Sequence, residues 1–151
     1  MDGGVLGGKA PAVGVALSFL YIFRFSECDV GTFSVKARVW NIHNPLKAAE
    51  VELLVDTGAT YTVLPSSLLE GLGVVADRTV KLRLADGRVV ERRVGEIGIG
   101  INGYRASATP VLFGDESVYL LGSVTMEQLG VVPDPVRKRL RSVEALLMRL
   151  H

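Results

Sequence analysis

The segment spanning residues 78–113 constrains the fold of this chain most, because it alternates apolar and polar residues around two hairpin-turn signals. Apolar side chains occupy every second position over residues 80–84, which is typical of a half-buried β-strand. Asp86-Gly87 and Asn102-Gly103 favour two-residue hairpin turns, because both central positions of such a turn prefer positive φ. We therefore expect three successive antiparallel strands, the last running from Tyr104 towards Phe113.

The remaining strands follow from the same kind of pattern. Residues 31–41 alternate, with Phe33, Val35, Ala37 and Val39 on one face, and Trp40 among the polar residues of the other. We interpret Trp40 as a packing residue of the core or of an interface. A turn stiffened by Pro45 is predicted over 44–47. Further strands are predicted at 49–56, 61–65 and 118–122, and as a pair about a Pro-bearing turn in 131–143.

Short helices are predicted where capping residues bracket the chain. Residues 66–73 begin with Ser66 as an N-cap and end in glycine, and residues 123–130 run from Ser123 to Gly130. The terminal residues 144–150 are compatible with a helical tail. Together the elements predict an all-β fold, with several hairpins closing a small barrel-like or sandwich core and one or two short helices added.

Composition narrows the function classes. The 151 residues fit one domain, and the 17 basic and 16 acidic residues leave a net charge of +1. We expect no nucleic-acid partner, since the basic stretch 137–141 is short and interrupted. Cys28, His43 and His151 cannot form a Cys/His zinc site in one subunit, and no cofactor is expected. The lone cysteine excludes an intramolecular disulfide and favours a reducing, cytoplasmic location.

The N-terminal segment, residues 1–23, has no assigned role. Residues 1–9 are rich in glycine, and residues 10–23 are apolar and lie between Lys9 and Arg24. Three interpretations stay open: a strand or interface segment of the fold, an unprocessed leader, and a membrane anchor. We favour the first, because a stretch of 14 residues is shorter than the roughly 20 that a spanning helix needs.

One acidic motif indicates a candidate catalytic residue. The apolar run Val51–Val55 delivers Asp56-Thr57-Gly58 to the end of a predicted strand. Hydrolysis of a peptide bond by carboxyl groups needs two of them, one to take a proton from water and one to protonate the carbonyl oxygen. A second Asp-Thr-Gly or Asp-Ser-Gly does not occur in this chain. The simplest source of a second acid is therefore Asp56 of another copy across a two-fold axis.

The order of the motifs resembles that of the retroviral-type (retropepsin-like) aspartic proteases, including their stand-alone cellular relatives. "LLVDTGATYTVLP" (53–65) is similar to the active-site stretch of that family. The hairpin at Asp86-Gly87 stands where the family has its flap, and "LLG" (120–122) stands before its one helix. The resemblance covers approximately residues 31–135 and implies a closed, barrel-like acid-protease fold with one lobe per chain, assigned to residues 24–143, with 144–151 as a tail.

The resemblance also implies residue roles. Asp56 is expected to be the catalytic acid of a homodimer, with Thr57 bonding the opposite loop, Gly58 letting a backbone N–H reach the carboxylate, and small Ala59 beside them. Leu121 and Gly122 are expected to pack beneath this loop. Asp86, Gly87 and Arg88 are expected to form the flap tip over an extended peptide substrate.

The flap tip departs from the family pattern. "ADGR" (85–88) carries two charges and a single glycine, whereas viral members have a glycine-rich, apolar tip. An alternative is therefore kept: a catalytically inactive module of the same fold that binds peptides or dimerises. A third reading, a membrane-tethered version of either, rests on residues 10–23.

Overall fold

The computed structural model describes residues 32–143, which form nine strands and two short helices. In chain order these are β1 (Ser34–Asn41), β2 (Asn44–Val55), β3 (Thr62–Pro65), α1 (Ser66–Gly71), β4 (Arg78–Arg83), β5 (Val89–Ile101), β6 (Tyr104–Gly114), β7 (Leu120–Leu121), α2 (Ser123–Leu129), β8 (Val131–Asp134) and β9 (Arg139–Ser142). The predicted helix over 144–150, the N-terminal segment and Cys28 lie outside the described residues.

Seven strands form one sheet that closes on itself. Their order is β1-β2-β7-β3-β6-β5-β4, and β1 also pairs with β5. Closure depends on the length of β5, whose first half pairs with β4 while its second half pairs with β1 over residues 97–100. β8 and β9 form a separate two-stranded sheet. The predicted all-β, barrel-like fold is confirmed.

The closed sheet surrounds one apolar core. Period-two alternation in β1 places Phe33, Ala37 and Val39 inside, as predicted. The largest fully buried apolar side chains come from strands on all sides of the ring and from α1: Leu53, Leu64, Leu69, Ile97, Ile99, Ile101 and Leu121. Burial of this apolar surface is the main favourable contribution to folding.

Trp40 lies on its predicted face but is only 7% exposed. It pairs in register with Gly98 of β5. A side chain at residue 98 would collide with the indole, because an added Cβ would lie 2.1 Å from Trp40 Cε2. The Arg105 guanidinium stacks 4.5 Å from the indole centroid. The tryptophan is thus covered on the outer side of the barrel by a cation–π contact.

The first turn differs from the prediction. β2 begins at Asn44, so Pro45 lies in a strand and the turn is formed by Ile42 and His43. The Asn41 side chain sets this turn, because its Oδ1 accepts the His43 N–H at 2.8 Å. Pro45 is tolerated because this end of β2 pairs with β1 on one side only, so no second neighbour needs its missing N–H.

The two hairpin turns differ from each other. Asn102 and Gly103 both have positive φ, 51° and 86°, as the two-residue turn requires. At the other hairpin only Gly87 has positive φ. Gly87 N–H donates to the Leu84 carbonyl and Leu84 N–H to the Arg88 carbonyl, which makes a three-residue loop with a left-handed glycine. The predicted two-residue turn at Asp86-Gly87 is therefore wrong in length.

The helices occupy the predicted places, with one difference in capping. α1 is capped by Pro65 without a side-chain hydrogen bond, and Ser66 is its first helical residue. The Ser66 hydroxyl instead donates to the Gly114 carbonyl at 3.1 Å. α2 ends at Gly130, which adopts the left-handed conformation. Within residues 32–143, neither helix has the length and apolar character needed to cross a membrane.

Candidate active site

Asp56 lies where β2 leaves the sheet. The last two residues of β2, Leu54 and Val55, pair in parallel with Leu120 and Leu121 of β7. The Asp56 N–H continues this ladder by donating to the Leu121 carbonyl at 3.0 Å. The backbone of the acid is therefore fixed by the sheet, while its side chain is half-buried at the barrel edge.

The carboxylate is oriented by its own loop. Gly58 N–H donates to Asp56 Oδ1 at 2.9 Å, and Ala59 N–H donates to the Asp56 carbonyl at 3.1 Å. A Cβ at residue 58 would lie 3.3 Å from Asp56 Oδ1, tighter than most such contacts, so glycine suits this close approach. Thr57 and Gly58 are exposed. The structure thus brings Asp56, Gly58 and Ala59 together and leaves Thr57 facing solvent in the single chain.

The start of α2 holds this loop by backbone hydrogen bonds. Ser123 N–H donates to the Ala59 carbonyl at 2.8 Å, and Val124 N–H donates to the Thr60 carbonyl at 3.1 Å. These are N-terminal helix donors that have no partner within the helix. Gly122 lets the helix approach so closely, because a Cβ there would lie 2.4 Å from the Tyr61 carbonyl carbon. Leu121 and Gly122 are thus placed directly against the Asp56 loop.

Three buried threonines behind the loop are missing from the sequence-based site. Thr62, Thr109 and Thr125 are each 0% exposed. Thr62 Oγ1 accepts the Gly122 N–H at 3.1 Å and donates to Thr125 Oγ1 at 2.6 Å, and Thr125 lies 2.8 Å from Thr109 Oγ1. The sequence gives one signal for this cluster, a threonine at an inward-facing position of β3. Its partners are too distant along the chain to be recognised from the spacing of neighbouring residues.

Replacing Thr62 with valine is expected to destabilise the fold by about 1–3 kcal/mol, because the buried Gly122 N–H loses its acceptor. The volume is nearly conserved, so the loss reports the hydrogen bond rather than a cavity. Urea unfolding measures it, with Thr79→Val as the control, since Thr79 is exposed on β4. Equal stability of the two variants would show that the threonine cluster does not hold the loop.

The predicted flap residues form the tip of the β4–β5 hairpin. Arg88 Nε donates to Asp86 Oδ2 at 2.7 Å, and the Arg88 backbone N–H donates to Asp86 Oδ1 at 3.0 Å. Arg83 Nη1 donates to the Gly87 carbonyl at 3.0 Å. The backbone and then the side-chain hydrogen bond from Arg88 lower the pKa of Asp86. The two charges of the tip therefore satisfy each other.

The hydrogen bonds between Asp86 and Arg88 predict how the flap tip responds to a fall in pH. Because the pKa of folded Asp86 is lowered, its stabilising contacts are fully present above the ordinary value of 3.8 and are lost as the pH falls through the lower folded value. We expect the Arg88 amide NMR shift to stay constant between about pH 5 and pH 7 and to titrate only in more acidic solution. Asp86→Asn should remove that transition. A transition near neutral pH in the wild type would contradict this assignment.

A groove of about 340 Å³ lies between the hairpin and the barrel. Its apolar lining comes from Leu82, Leu84 and Val90 on the hairpin side, and from Val63, Val118 and Leu120 on the barrel side. Leu120 pairs with Leu54 and precedes Leu121, whose carbonyl accepts the Asp56 N–H, so β7 connects the groove to the Asp56 loop, although Asp56 does not line the groove. Arg88 lines the groove, whereas Asp86 and Gly87 do not.

Arg92 and Asp115 also line the groove. Alternation along β5 places Arg92 and Arg93 on opposite faces of the strand. Arg93 stacks 4.4 Å over Phe113 and pairs with Glu70 at 3.1 Å, whereas Arg92 is half-buried on the face that lines the groove. Burial raises the pKa of Asp115, and the Arg92 charge opposes that rise.

Residues 32–143 contain no group of three His, Cys, Asp or Glu side chains arranged to hold a metal ion. The carboxylate of Asp56 accepts a hydrogen bond from the Gly58 N–H, and Asp115 lines the apolar groove. The arrangement around Asp56 is that of a single oriented carboxylate on an accessible loop, suited to proton transfer once a second acid is supplied.

Comparison with known families agrees with this geometry. A family model described as "Aspartyl protease" matches residues 35–127, more than half of the 151-residue chain. The matched span includes the Asp56 loop, the β4–β5 hairpin and the first part of α2. A search of curated proteins found no match.

Proposed function

The chain belongs to the retropepsin-like aspartyl protease family, and from that premise we propose that it is an aspartic endopeptidase acting as a homodimer. The observation that carries the proposal is the single Asp56 at the end of β2, with Oδ1 held by the Gly58 N–H at 2.9 Å on an exposed loop. Such a carboxylate is oriented for chemistry but lacks the second acid that the reaction needs.

The second acid would come from another copy of the chain. In a two-fold symmetric dimer, a residue near the axis lies close to its own mate. Thr57 and Gly58 are exposed next to Asp56, so the loop is available for such a contact. In the dimer, Thr57 would donate to the opposite loop and hold the two carboxyl groups in one plane.

The dyad would act as an acid and a base at once. Two carboxyl groups about 3 Å apart cannot both ionise, so the pair shares one proton. The ionised group takes a proton from water while the water oxygen bonds to the scissile carbonyl carbon, and the protonated group gives its proton to the carbonyl oxygen. Cleavage of the C–N bond then follows, with a proton delivered to the leaving nitrogen.

The substrate would be an extended peptide with large apolar side chains. The lining of the groove is mostly leucine and valine, and apolar pockets of this kind bind by excluding water. The β4–β5 hairpin would cover the peptide and exclude water from the reacting bond, and the peptide backbone would bond as an added strand. A reducing, cytoplasmic setting is proposed with this function, on the basis of the single cysteine.

A second function is favoured by one feature, the charged flap tip. The Arg88–Asp86 pair at 2.7 Å puts two charges where an apolar tip would pack on a substrate. If these charges prevent closure, the chain would bind extended peptides or dimerise without turnover.

Mass spectrometry of a peptide library after incubation with the full-length protein distinguishes the two functions. Cleaved products between acidic and near-neutral pH, together with inhibition by a statine peptide that mimics the tetrahedral transition state, are expected of the endopeptidase. Intact peptides throughout, with measurable peptide binding, would instead support the inactive module.

A further inference from the structure

A chain of hydrogen bonds leads from the buried threonine cluster to the backbone of Asp56. The Asp56 N–H donates to the Leu121 carbonyl at 3.0 Å, and the Gly122 N–H donates to Thr62 Oγ1 at 3.1 Å. The Leu121 carbonyl and the Gly122 N–H belong to the same planar peptide unit. One rigid unit therefore bonds the acid on one side and the threonine hydroxyl on the other.

The threonine end of this chain is itself held in place. The Thr62 hydroxyl donates to Thr125 Oγ1 at 2.6 Å, which fixes its rotation and leaves its lone pairs to accept the Gly122 N–H. Thr125 Oγ1 in turn lies 2.8 Å from Thr109 Oγ1. The three threonines are each 0% exposed and stand on β3, α2 and β6, so water does not compete for these hydrogen bonds.

We propose that Thr62 is a positioning residue of the active site, whose hydroxyl acts through the peptide unit that joins Leu121 to Gly122 and holds the Asp56 backbone where proton transfer requires it. This inference rests on the proposed function in one respect, that Asp56 is the catalytic acid. It goes beyond that function in assigning the placement of the acid to a fully buried side chain outside the lining of the groove.

Rotation of one peptide unit explains how the hydroxyl acts on a residue that it does not touch. A buried peptide unit that loses the acceptor of its N–H turns towards another acceptor, and its carbonyl turns with it because the unit is planar. Without the Thr62 hydroxyl, the Leu121 carbonyl leaves the line of the Asp56 N–H, and the start of the active-site loop shifts. A displacement of about 1 Å at a reacting group can cost roughly 10²-fold in rate.

Two substitutions at residue 62 separate the hydroxyl from the rest of the side chain. Thr62→Val removes the hydroxyl and nearly keeps the volume, and we expect it to lower kcat by about 10- to 100-fold. KM should change by less than about threefold, because Thr62 does not line the groove. Thr62→Ser keeps the hydroxyl but loses a buried methyl group, so Tm should fall while kcat stays within about threefold of wild type.

A third substitution tests the next link of the chain. Thr125→Val leaves the Gly122 N–H its acceptor but removes the group that fixes the rotation of the Thr62 hydroxyl. We expect it to lower kcat by about three- to tenfold, less than Thr62→Val does. Because it leaves the Gly122 N–H bonded, it also carries the test if the Thr62→Val protein does not fold.

The experiment measures kcat, KM and Tm of the wild type and the variants on one cleaved peptide, at a temperature well below the lowest Tm. Ile101→Val is the control for lost stability alone, because Ile101 is 1% exposed and is the last residue of β5 before the turn to β6. It loses a buried methyl group, so Tm should fall while kcat stays at the wild-type value. A purely structural role of Thr62 predicts that kcat follows Tm, whereas the positioning role predicts that kcat follows the hydroxyl.

Amide hydrogen exchange separates this inference from the proposed function, because it needs no turnover. In Thr62→Val the Asp56 N–H should exchange about tenfold faster than in wild type or Thr62→Ser, measured relative to the Val55 N–H, which bonds the Phe33 carbonyl.

The outcomes are distinct. If the wild type does not cleave peptides but this exchange rises only in Thr62→Val, the proposed enzyme is wrong and the placement of Asp56 by Thr62 stands. If the wild type cleaves but the valine and serine variants lose kcat equally, or neither loses it, the inference is overturned. Equal exchange of the Asp56 N–H in the two variants overturns it as well.

Discussion

Replacing Asp56 with asparagine is expected to abolish peptide hydrolysis, with a loss in kcat on the order of 10⁴-fold or more. Asparagine has the same shape, and its amide oxygen can still accept the Gly58 N–H that now lies 2.9 Å from Oδ1. It cannot, however, take a proton from water or share one with its mate. The loop is preserved, and the proton transfer is lost.

The measurement is cleavage of a library-derived peptide by wild type and variant at equal dimer concentration, with size-exclusion chromatography to show that assembly is unchanged. Asp77→Asn is the matched control, since Asp77 is exposed and pairs only with neighbouring Arg78 at 3.5 Å among the described ion pairs. Full activity in the control and none in Asp56→Asn is expected. If the Asp56→Asn variant still cleaved the peptide, Asp56 would not be the catalytic acid.

Replacing Gly122 with alanine is expected to have the largest effect on stability. The added Cβ would lie 2.4 Å from the Tyr61 carbonyl carbon and 2.8 Å from the Thr62 nitrogen. Both are backbone atoms that cannot rotate away, so the loop and the start of α2 must separate. We expect a cost of about 3 kcal/mol and a fall in Tm of about 10 °C.

Gly71→Ala serves as the control for this prediction. Gly71 is in α1, and an added Cβ would meet nothing within 4 Å. That substitution should leave Tm unchanged or raise it slightly, because alanine favours the helix more than glycine does. If the Gly122→Ala and Gly71→Ala variants had the same Tm, the close approach of α2 to the active-site loop would be incorrect.

Local patterns are enough to predict the strands and the placement of Asp56 at a strand end, but they leave a barrel and a sandwich both open, and the closed barrel follows from the family resemblance. Alternation over 80–84 and the Asn102-Gly103 turn depend on neighbouring residues alone, so they can be read directly. The Pro45 turn was mispredicted because proline is compatible with both a turn and a strand with one open edge, and the pairing that decides between them is not local. The length of the Asp86-Gly87 loop was mispredicted for a different reason: two-residue and three-residue loops both place a glycine at positive φ, and here the Asp86 carboxylate accepts the Arg88 backbone N–H and stabilises the wider loop.

Other parts of the site required three-dimensional information. Thr62 and Thr125 stand 63 positions apart and meet only because β3 and α2 both pack behind the Asp56 loop. Arg92 and Arg93 are adjacent in sequence and chemically identical, yet one lines the groove and the other pairs with Glu70. The pairing of β5 with β4 and β6 decides which one faces the groove, and in a strand with arginine at both positions the sequence does not fix it.

The central claim is that catalysis needs Asp56 from two copies of the chain. Wild-type protein at a fixed concentration, high enough to be dimeric, is mixed with increasing Asp56→Asn protein and allowed to exchange before its activity is measured. If a dimer needs both acids, activity should fall to about one tenth at a nine-fold excess of the variant, because only that fraction of wild-type chains keeps a wild-type partner. Activity that stays constant as the variant is added would mean that one chain works alone and would contradict the account.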